Sequence, residues 1–462
     1  MSLSDYAAIT VSRTTQAPSQ MSFNTLGILA WVDTAVVWSD YQRLYDANAD
    51  GLAQMVTDGF NTFDPAYRIA ARFVSQDGHP PHFRVLRRAT ANQQGIKLEP
   101  DHGGVVPPAG YVISVNITGP NGVTRPYTRT SEGGTKAAEA AQIAAMVNAD
   151  ASGWGVAGSA EFTCVAAGDV VEFNAEVATK GRLWYYRDLT YLLYTDVTAD
   201  PGIADDLTAI CTYGSDDFYG VVLDSESAAE VKALAGAVEA MTKIFGFTTR
   251  DSDAPTIAST DILTTLDALN YDRTFGLATG GSLATYPAAA WMGLKLGDRP
   301  GFTNWAFAKT AAGVVADDWT AAEKMNICET KSGNYYITEA KIDHFYSGQV
   351  FSGEWIDIVT LTDWTVARIQ EAVFGTFIAA KKVPYTAQGV EMIKGDCYSV
   401  VRHQMLDNDS GGFVKGSELF TYPAISAISI ADKADRHLPD CTLYVQFTNA
   451  INTVGLALTL SY

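Results

Sequence analysis

Several short runs in this sequence carry residue types that could bind or react. Gly153-Trp154-Gly155-Val156-Ala157-Gly158 has the glycine spacing of a dinucleotide-binding turn, whose chemistry is a pyrophosphate held on a helix N-terminus. Such a turn needs a strand before it and a helix after it. Here an Ala-rich helical stretch precedes the glycines and a strand-like stretch comes after them, so the run reads as a loop. Asp46-Ala47-Asn48-Ala49-Asp50-Gly51 copies the first half of a calcium loop, with alternate oxygen ligands and a turn glycine. The closing position is Thr57 where a bidentate Glu is required, so a solvated helix start is the better reading and any calcium held there is weak. Gly280-Gly281-Ser282-Leu283-Ala284 matches a nucleophile elbow until Ala284 replaces its last glycine.

The six histidines, at 79, 82, 102, 344, 403 and 437, give no H-E-x-x-H and no i, i+4 pair. A zinc centre is not indicated, and they read as loop or surface residues. Acidic doublets at Asp205-Asp206, Asp216-Asp217 and Asp317-Asp318 have the carboxylates for a metal or a glycosidic bond. Two of the three lie near expected helix starts, where the helix dipole accounts for them. Five cysteines, of which Cys397 and Cys441 are the nearest pair, form neither a CxxC site nor a disulfide framework, and fit a reducing compartment. No catalytic, cofactor-binding or metal-ligating residue is assigned on these grounds, and no cofactor is expected.

The elements that would position any site are easier to read. At 462 residues, 47% hydrophobic and 18% charged, the chain is globular, with room for two to four domains. Its formal charge of −20 opposes phosphate backbones and anionic lipid, so direct nucleic-acid binding is not expected. No apolar run reaches the length of a membrane span, and Met1-Ser2-Leu3-Ser4-Asp5 lacks the basic start of a targeting signal; both point to a protein made in the cytoplasm.

Residues 26–32 predict a buried strand, and Leu52, Met55, Val56 and Phe60 a helix. Asp64 and Pro65 open a second helix to about Val74, and 82–88 is a strand. From about 97 to 181 the texture becomes β-rich with one helix capped by Thr135, as in a small inserted domain. Beyond it, strands at 218–223, 245–249 and 275–278 alternate with helices at 227–242 and from Asp261, which is α/β texture. Ser227 and Glu230 are spaced as a capping box. Two more helices come next, one opened by Asp363 and one carrying Val390, Ile393 and Cys397.

The chain ends differ. Ala7, Ile9 and Val11 alternate with Ala8, Thr10 and Ser12; Leu443, Val445 and Phe447 alternate with polar neighbours; Leu456 and Leu458 do so again. Such nearly uncharged strands at chain ends are an aggregation hazard unless paired, and are expected to pair with a sheet edge of a neighbouring subunit.

Tyr6-Ala7-Ala8-Ile9-Thr10-Val11-Ser12 and Phe23-Asn24-Thr25-Leu26-Gly27-Ile28-Leu29 resemble the opening of contractile bacteriophage tail sheath proteins. The later match is stronger: Tyr286-Pro287-Ala288-Ala289-Ala290-Trp291-Met292-Gly293, then Pro300-Gly301, Asn304-Trp305-Ala306-Phe307-Ala308 and Ala312-Gly313-Val314 before a Thr320-led helix. Asn334-Tyr335-Tyr336, Gly353-Glu354-Trp355-Ile356-Asp357, Asp363-Trp364 and Val383-Pro384-Tyr385-Thr386 continue that order. The stretch after Tyr336 lacks a glycine of the pattern, and the last strands are not distinctive. Without the family, these motifs are aromatic and glycine turn chemistry suited to rigid packing.

The expected fold is therefore mixed α/β (α+β). It comprises an N-terminal arm at 1–22, a discontinuous body at 23–95 and 183–420, an inserted β-rich domain at 96–182 and C-terminal strands at 421–462. The resemblance implies a non-enzymatic structural subunit of a virion tail. Homo-hexameric rings would stack helically around an inner tail tube protein, with baseplate and tail terminator proteins as further partners and no membrane insertion. Contraction would drive the tube through the host envelope. The alternatives are an α/β enzyme with a β insertion, which no motif supports, and the sheath of a headless phage-tail-like injection particle.

Overall fold

The computed structural model describes residues 22–30, 32, 36, 41–60, 62, 64–88, 93–97, 106–118, 124–149, 163–174, 193–198, 202–225, 227–258, 260–281, 286–405 and 411–456. Ala7, Ile9, Val11 and Leu458 lie outside them, as does the glycine turn at 153–158. The chain divides into two compact units, one containing Thr362–Asn449 and the other Ser22–Leu361 with the segment from Ala450.

The larger unit is built on an eight-stranded sheet. In spatial order its strands are Ile342–Tyr346, Asn334–Glu339, Thr274–Ala278, Ile244–Thr249, Gly220–Leu223, Thr25–Ala30, His82–Arg87 and Gln42–Asp46. The inner six run parallel and the two edge strands antiparallel. Every residue of Thr25–Ala30, Gly220–Leu223 and Thr274–Ala278 is buried. That is why they read as continuous apolar runs: a parallel sheet is covered on both faces.

Leu29, Leu86, Val221, Phe245 and Ala278 turn to one face, into a core with Leu207 and Ile210 of helix Ile203–Tyr213, Val231, Leu234 and Val238 of Ala228–Glu239, and Leu263 and Leu266 of Ile262–Asp267. Helices Pro65–Val74 and Pro287–Lys295 pack together, against Thr25–Ala30 and Ile244–Thr249 respectively. The motif aromatics meet here. Trp291 is fully buried, stacks on Phe345 at 4.9 Å and donates Nε1–H to the Trp305 carbonyl at 3.1 Å. Asn334 donates to the Gly276 carbonyl and accepts from the Gly348 amide at 2.8 Å, fixing the turn after the edge strand. The turn motifs thus build a core, as aromatic and amide chemistry at buried positions requires.

The expected β-rich stretch at 96–182 holds a ribbon of Val112–Thr118 with Thr124–Thr130, helix Lys136–Asn148 capped by Thr135, and strands Thr163–Ala167 and Val170–Asn174, whose four-stranded sheet continues in the order Gln93–Lys97, Leu193–Thr198 with strands that begin before and lie beyond that stretch.

Three expectations are corrected. Ser227 precedes helix Ala228–Glu239 but makes no side-chain cap, because Glu230 is turned inward to Arg88 at 2.6 Å. The helix expected to open at Asp363 starts earlier and runs Ile356–Ala379, with Asp363 inside it and buried. Its start is hidden in the sequence because Trp355-Ile356-Asp357 reads as turn chemistry. At the C-terminus the first strand is only Thr442–Tyr444, and residues 451–456 form no strand.

Candidate assembly surface

The residues that resembled reactive motifs have structural work. Asn48 caps helix Ala49–Thr57 by accepting the Gly51 amide at 2.9 Å, and a Cβ on Gly51 would lie 1.9 Å from the Asp46 carbonyl oxygen. Asp46 faces His82 at 3.1 Å. Glycine and acids are there for a tight helix entry. Asp205 and Asp206 lie in the first turn of their helix, as the dipole argument expects. Asp216 pairs with buried Lys243 at 2.7 Å, and Asp217 accepts the Ser22 amide. Asp317 accepts the Gly280 amide at 3.0 Å, and burial raises its carboxyl to about 6. His344, expected at the surface, is buried in the edge strand. Among the described residues no group of three or more His, Cys, Asp or Glu could hold a metal.

In open α/β sheets ligands bind where the strand order reverses, beyond the carboxyl ends of the strands. Here that point lies between Thr25–Ala30 and Gly220–Leu223. It is occupied by Arg88, whose amide bonds the Ala30 carbonyl and whose guanidinium reaches Asp224 and Glu230, each at 2.6 Å and all nearly inaccessible. Sequence reasoning missed this triad because its members are 136 and 142 positions from Arg88.

The C-terminal strand residues form an edge. Thr442–Tyr444 pairs antiparallel with Leu419–Thr421, and Phe413 bridges to Phe447. Gln446 accepts the Val414 amide at 2.8 Å and donates to Ser417 Oγ, while Thr448 donates to the Gly412 carbonyl. The even-numbered residues therefore turn their backbone groups toward 412–421. On the partner strand, Phe420 donates outward to Tyr398 Oη at 3.1 Å, which marks Phe420 and Leu443 as a non-hydrogen-bonded pair. Leu443, Val445 and Phe447 consequently aim N–H and C=O away from the ladder.

This qualifies the expectation for these residues. Leu443 packs its side chain into its own unit's core with Val390, Cys397 and Phe420, and Phe447 lies 5.6 Å from Phe413. Their side chains serve the chain itself, whereas their backbone groups turn to the side of the strand opposite residues 412–421. Leu456 is highly exposed and in no strand. In the same unit, the part of helix Ile356–Ala379 from Thr362 onward also exposes Val366, Phe374, Phe377 and Ile378.

No protein-family model and no curated protein matches this chain in sequence. Solved structures do match. One is from "Cryo-EM structure of the anti-feeding prophage (AFP) baseplate, 6-fold symmetrised", at 12% identity and TM-score 0.43, covering 59% of this chain and 77% of that one. Another is from "Cryo-EM Structure of an Extracellular Contractile Injection System, PVC sheath complex in contracted state", at 6% identity and TM-score 0.52, covering 98% of this chain and 96% of that one. The second comparison runs nearly end to end, through body, insertion and C-terminal unit alike. This chain has the mixed α/β fold of a contractile sheath.

Proposed function

We propose that this chain is the subunit of a contractile sheath, its hexameric rings stacking helically around an inner tube and contracting to drive that tube through a host envelope. The observation that carries the reading is the fold likeness to a contracted sheath over 98% of this chain. The work comes from the free-energy difference between two packings of the same subunits, so no nucleotide or cofactor is consumed and the role is structural. The partners are further copies, the inner tail tube protein, and baseplate and tail terminator proteins. The particle is a phage tail assembled in the bacterial host's cytoplasm; a gene neighbourhood without capsid genes would make it a headless injection particle instead.

The inserted domain, read from the sequence as 96–182, faces the outside of the assembly, and its limits are drawn wider, near 93 and 198, because Gln93–Lys97 and Leu193–Thr198 are neighbours in its sheet. Subunits are joined through strands: residues 5–13 of one copy add to the outward edge at Leu443, Val445 and Phe447 of another. Backbone pairing of this kind tolerates a change of angle between bodies when the connecting segments flex, so it can persist through contraction.

Negative-stain microscopy of the purified protein tests the assembly. Tubes are expected from the full chain, and a folded body without tubes after deletion of residues 1–20. Tubes of normal length from the deletion would remove the strand link; no ordered assembly from the full chain, with or without an added tube protein, would count against the sheath itself.

A further inference from the structure

The larger unit carries a groove between helix Ala321–Cys328 and the hairpin of Asn334–Glu339 with Ile342–Tyr346. It encloses about 880 Å³. Tyr335 and Tyr346 stand directly opposite each other in the hairpin and line the groove side by side, with ring centroids 5.7 Å apart. Phe307 extends the row, 5.7 Å from Tyr346, and Trp355 adds a fourth aromatic wall. Between the rings the lining is polar, with Ser332 and Asn452 among its side chains. The groove is thus aromatic without being apolar.

Charge sets what such a groove can hold. Its ionised side chains are Lys324, Glu329 and Glu339. Lys324 lies 2.6 Å from Glu339 and neutralises it, so the excess is a single negative charge on the exposed Glu329. Glu329 is also the C-cap of helix Ala321–Cys328, where the negative end of the helix dipole adds to its charge. This field reaches the aromatic walls. Burial raises the Tyr335 and Tyr346 phenols above their ordinary value, and Glu339 and Glu329 push both in the same direction. A negative field beside aromatic faces rejects anions and is left unused by a neutral ligand. A planar cation gains from both features, by stacking on the rings and by donating hydrogen bonds to the carboxylate. A guanidinium meets that description, whereas an ammonium is compact, strongly hydrated and does not stack. The volume lies toward the top of the range for ligand sites, about 300–1,000 Å³, and exceeds what one side chain fills, so the cation arrives with its neighbours along a chain.

We propose that this groove binds an arginine presented on a polypeptide segment of a partner protein, with the guanidinium against the aromatic walls and donating to Glu329. The residues that flank the arginine meet the polar lining at Ser332 and Asn452. The site holds whether or not the chain is a sheath subunit, since it rests on the groove alone.

The test uses the full chain, at concentrations where sedimentation shows it monomeric, and labelled pentapeptides with arginine, lysine or citrulline set among glycines and serines, read by anisotropy at low salt. The arginine peptide should bind with a Kd below about 1 mM, the lysine peptide at least about threefold more weakly, and the citrulline peptide, which keeps the shape and loses the charge, at least about tenfold more weakly. Glu329→Gln, at an exposed position, should weaken arginine binding at least about fivefold, whereas Lys324→Met, which frees Glu339, should strengthen it at least about threefold. Asp318→Asn removes an exposed acid outside the groove and controls for general attraction to a chain of net charge −20; it should change binding less than about twofold. Equal binding of the arginine and citrulline peptides would overturn the proposal. So would a loss with Asp318→Asn as large as with Glu329→Gln, or no binding of the arginine peptide at about 1 mM.

Discussion

Replacing Val445 by proline separates the outward edge from the ladder behind it. Proline removes one N–H and fixes φ near a value that edge strands accept. The amide of Val445 points away from residues 412–421. The isolated subunit should therefore lose less than about 1 kcal/mol, chiefly from the altered packing of a half-buried side chain. A neighbouring strand would lose one hydrogen bond and meet the pyrrolidine ring at close range, about 1–3 kcal/mol per junction. At about 1.4 kcal/mol per tenfold, the critical concentration for assembly should rise roughly 5- to 140-fold. Gln446→Pro is the control: its amide donates inward to Ser417 Oγ at 3.1 Å, so that variant should lose fold stability instead. Thermal melts of both variants, beside sedimentation of assembled material over a concentration series, decide the matter. If Val445→Pro melts as low as Gln446→Pro and assembles at the wild-type concentration, the assignment of inward and outward backbone groups is wrong.

Arg88→Met would leave the Asp224 and Glu230 carboxylates buried without their guanidinium, which should cost about 3–5 kcal/mol in urea unfolding; a loss below about 1 kcal/mol would mean that the pair is not desolvated as described. Asp317, raised to about 6 from 3.8, binds its proton more tightly folded than unfolded, so its contribution to stability is fullest below pH 3.8 and is lost as pH rises through about 6. Asp317→Asn should consequently gain about 1–3 kcal/mol on wild type between about pH 4 and 7, and parallel melting curves would refute this. Gly51→Ala should cost about 2 kcal/mol or more, because the new Cβ meets the Asp46 carbonyl oxygen, while chelator or millimolar calcium should leave the wild-type melt unchanged. A calcium-induced rise of several degrees that Asp46→Ala abolishes would restore the metal-loop reading.

By itself the sequence determined the elements whose causes are local. Pro65 at the first helical position and the Thr135 cap start helices where the sequence places them, Pro65–Val74 and Lys136–Asn148, although Asp64 stands at its N-cap position without a side-chain cap bond. The buried parallel strands were legible as apolar runs because both of their faces are covered. The order of the aromatic and glycine motifs was legible too, and these residues converge on the Trp291 core. Only tertiary structure decided the rest. Ser227 and Glu230 keep the spacing of a cap, yet a guanidinium 142 positions away from Glu230 outcompetes the backbone, because a buried charge must find its opposite. Gly353 to Asp357 reads as a turn, but the turn fixed by Asn334 sets Ile356 at the head of a long helix. The alternation through Leu443, Val445 and Phe447 announced a strand without saying which side would be taken. That depended on Leu419–Thr421 and Val414 claiming the even-numbered backbone groups, a pairing between segments that no local pattern encodes, and it is this choice that leaves the odd-numbered groups facing outward.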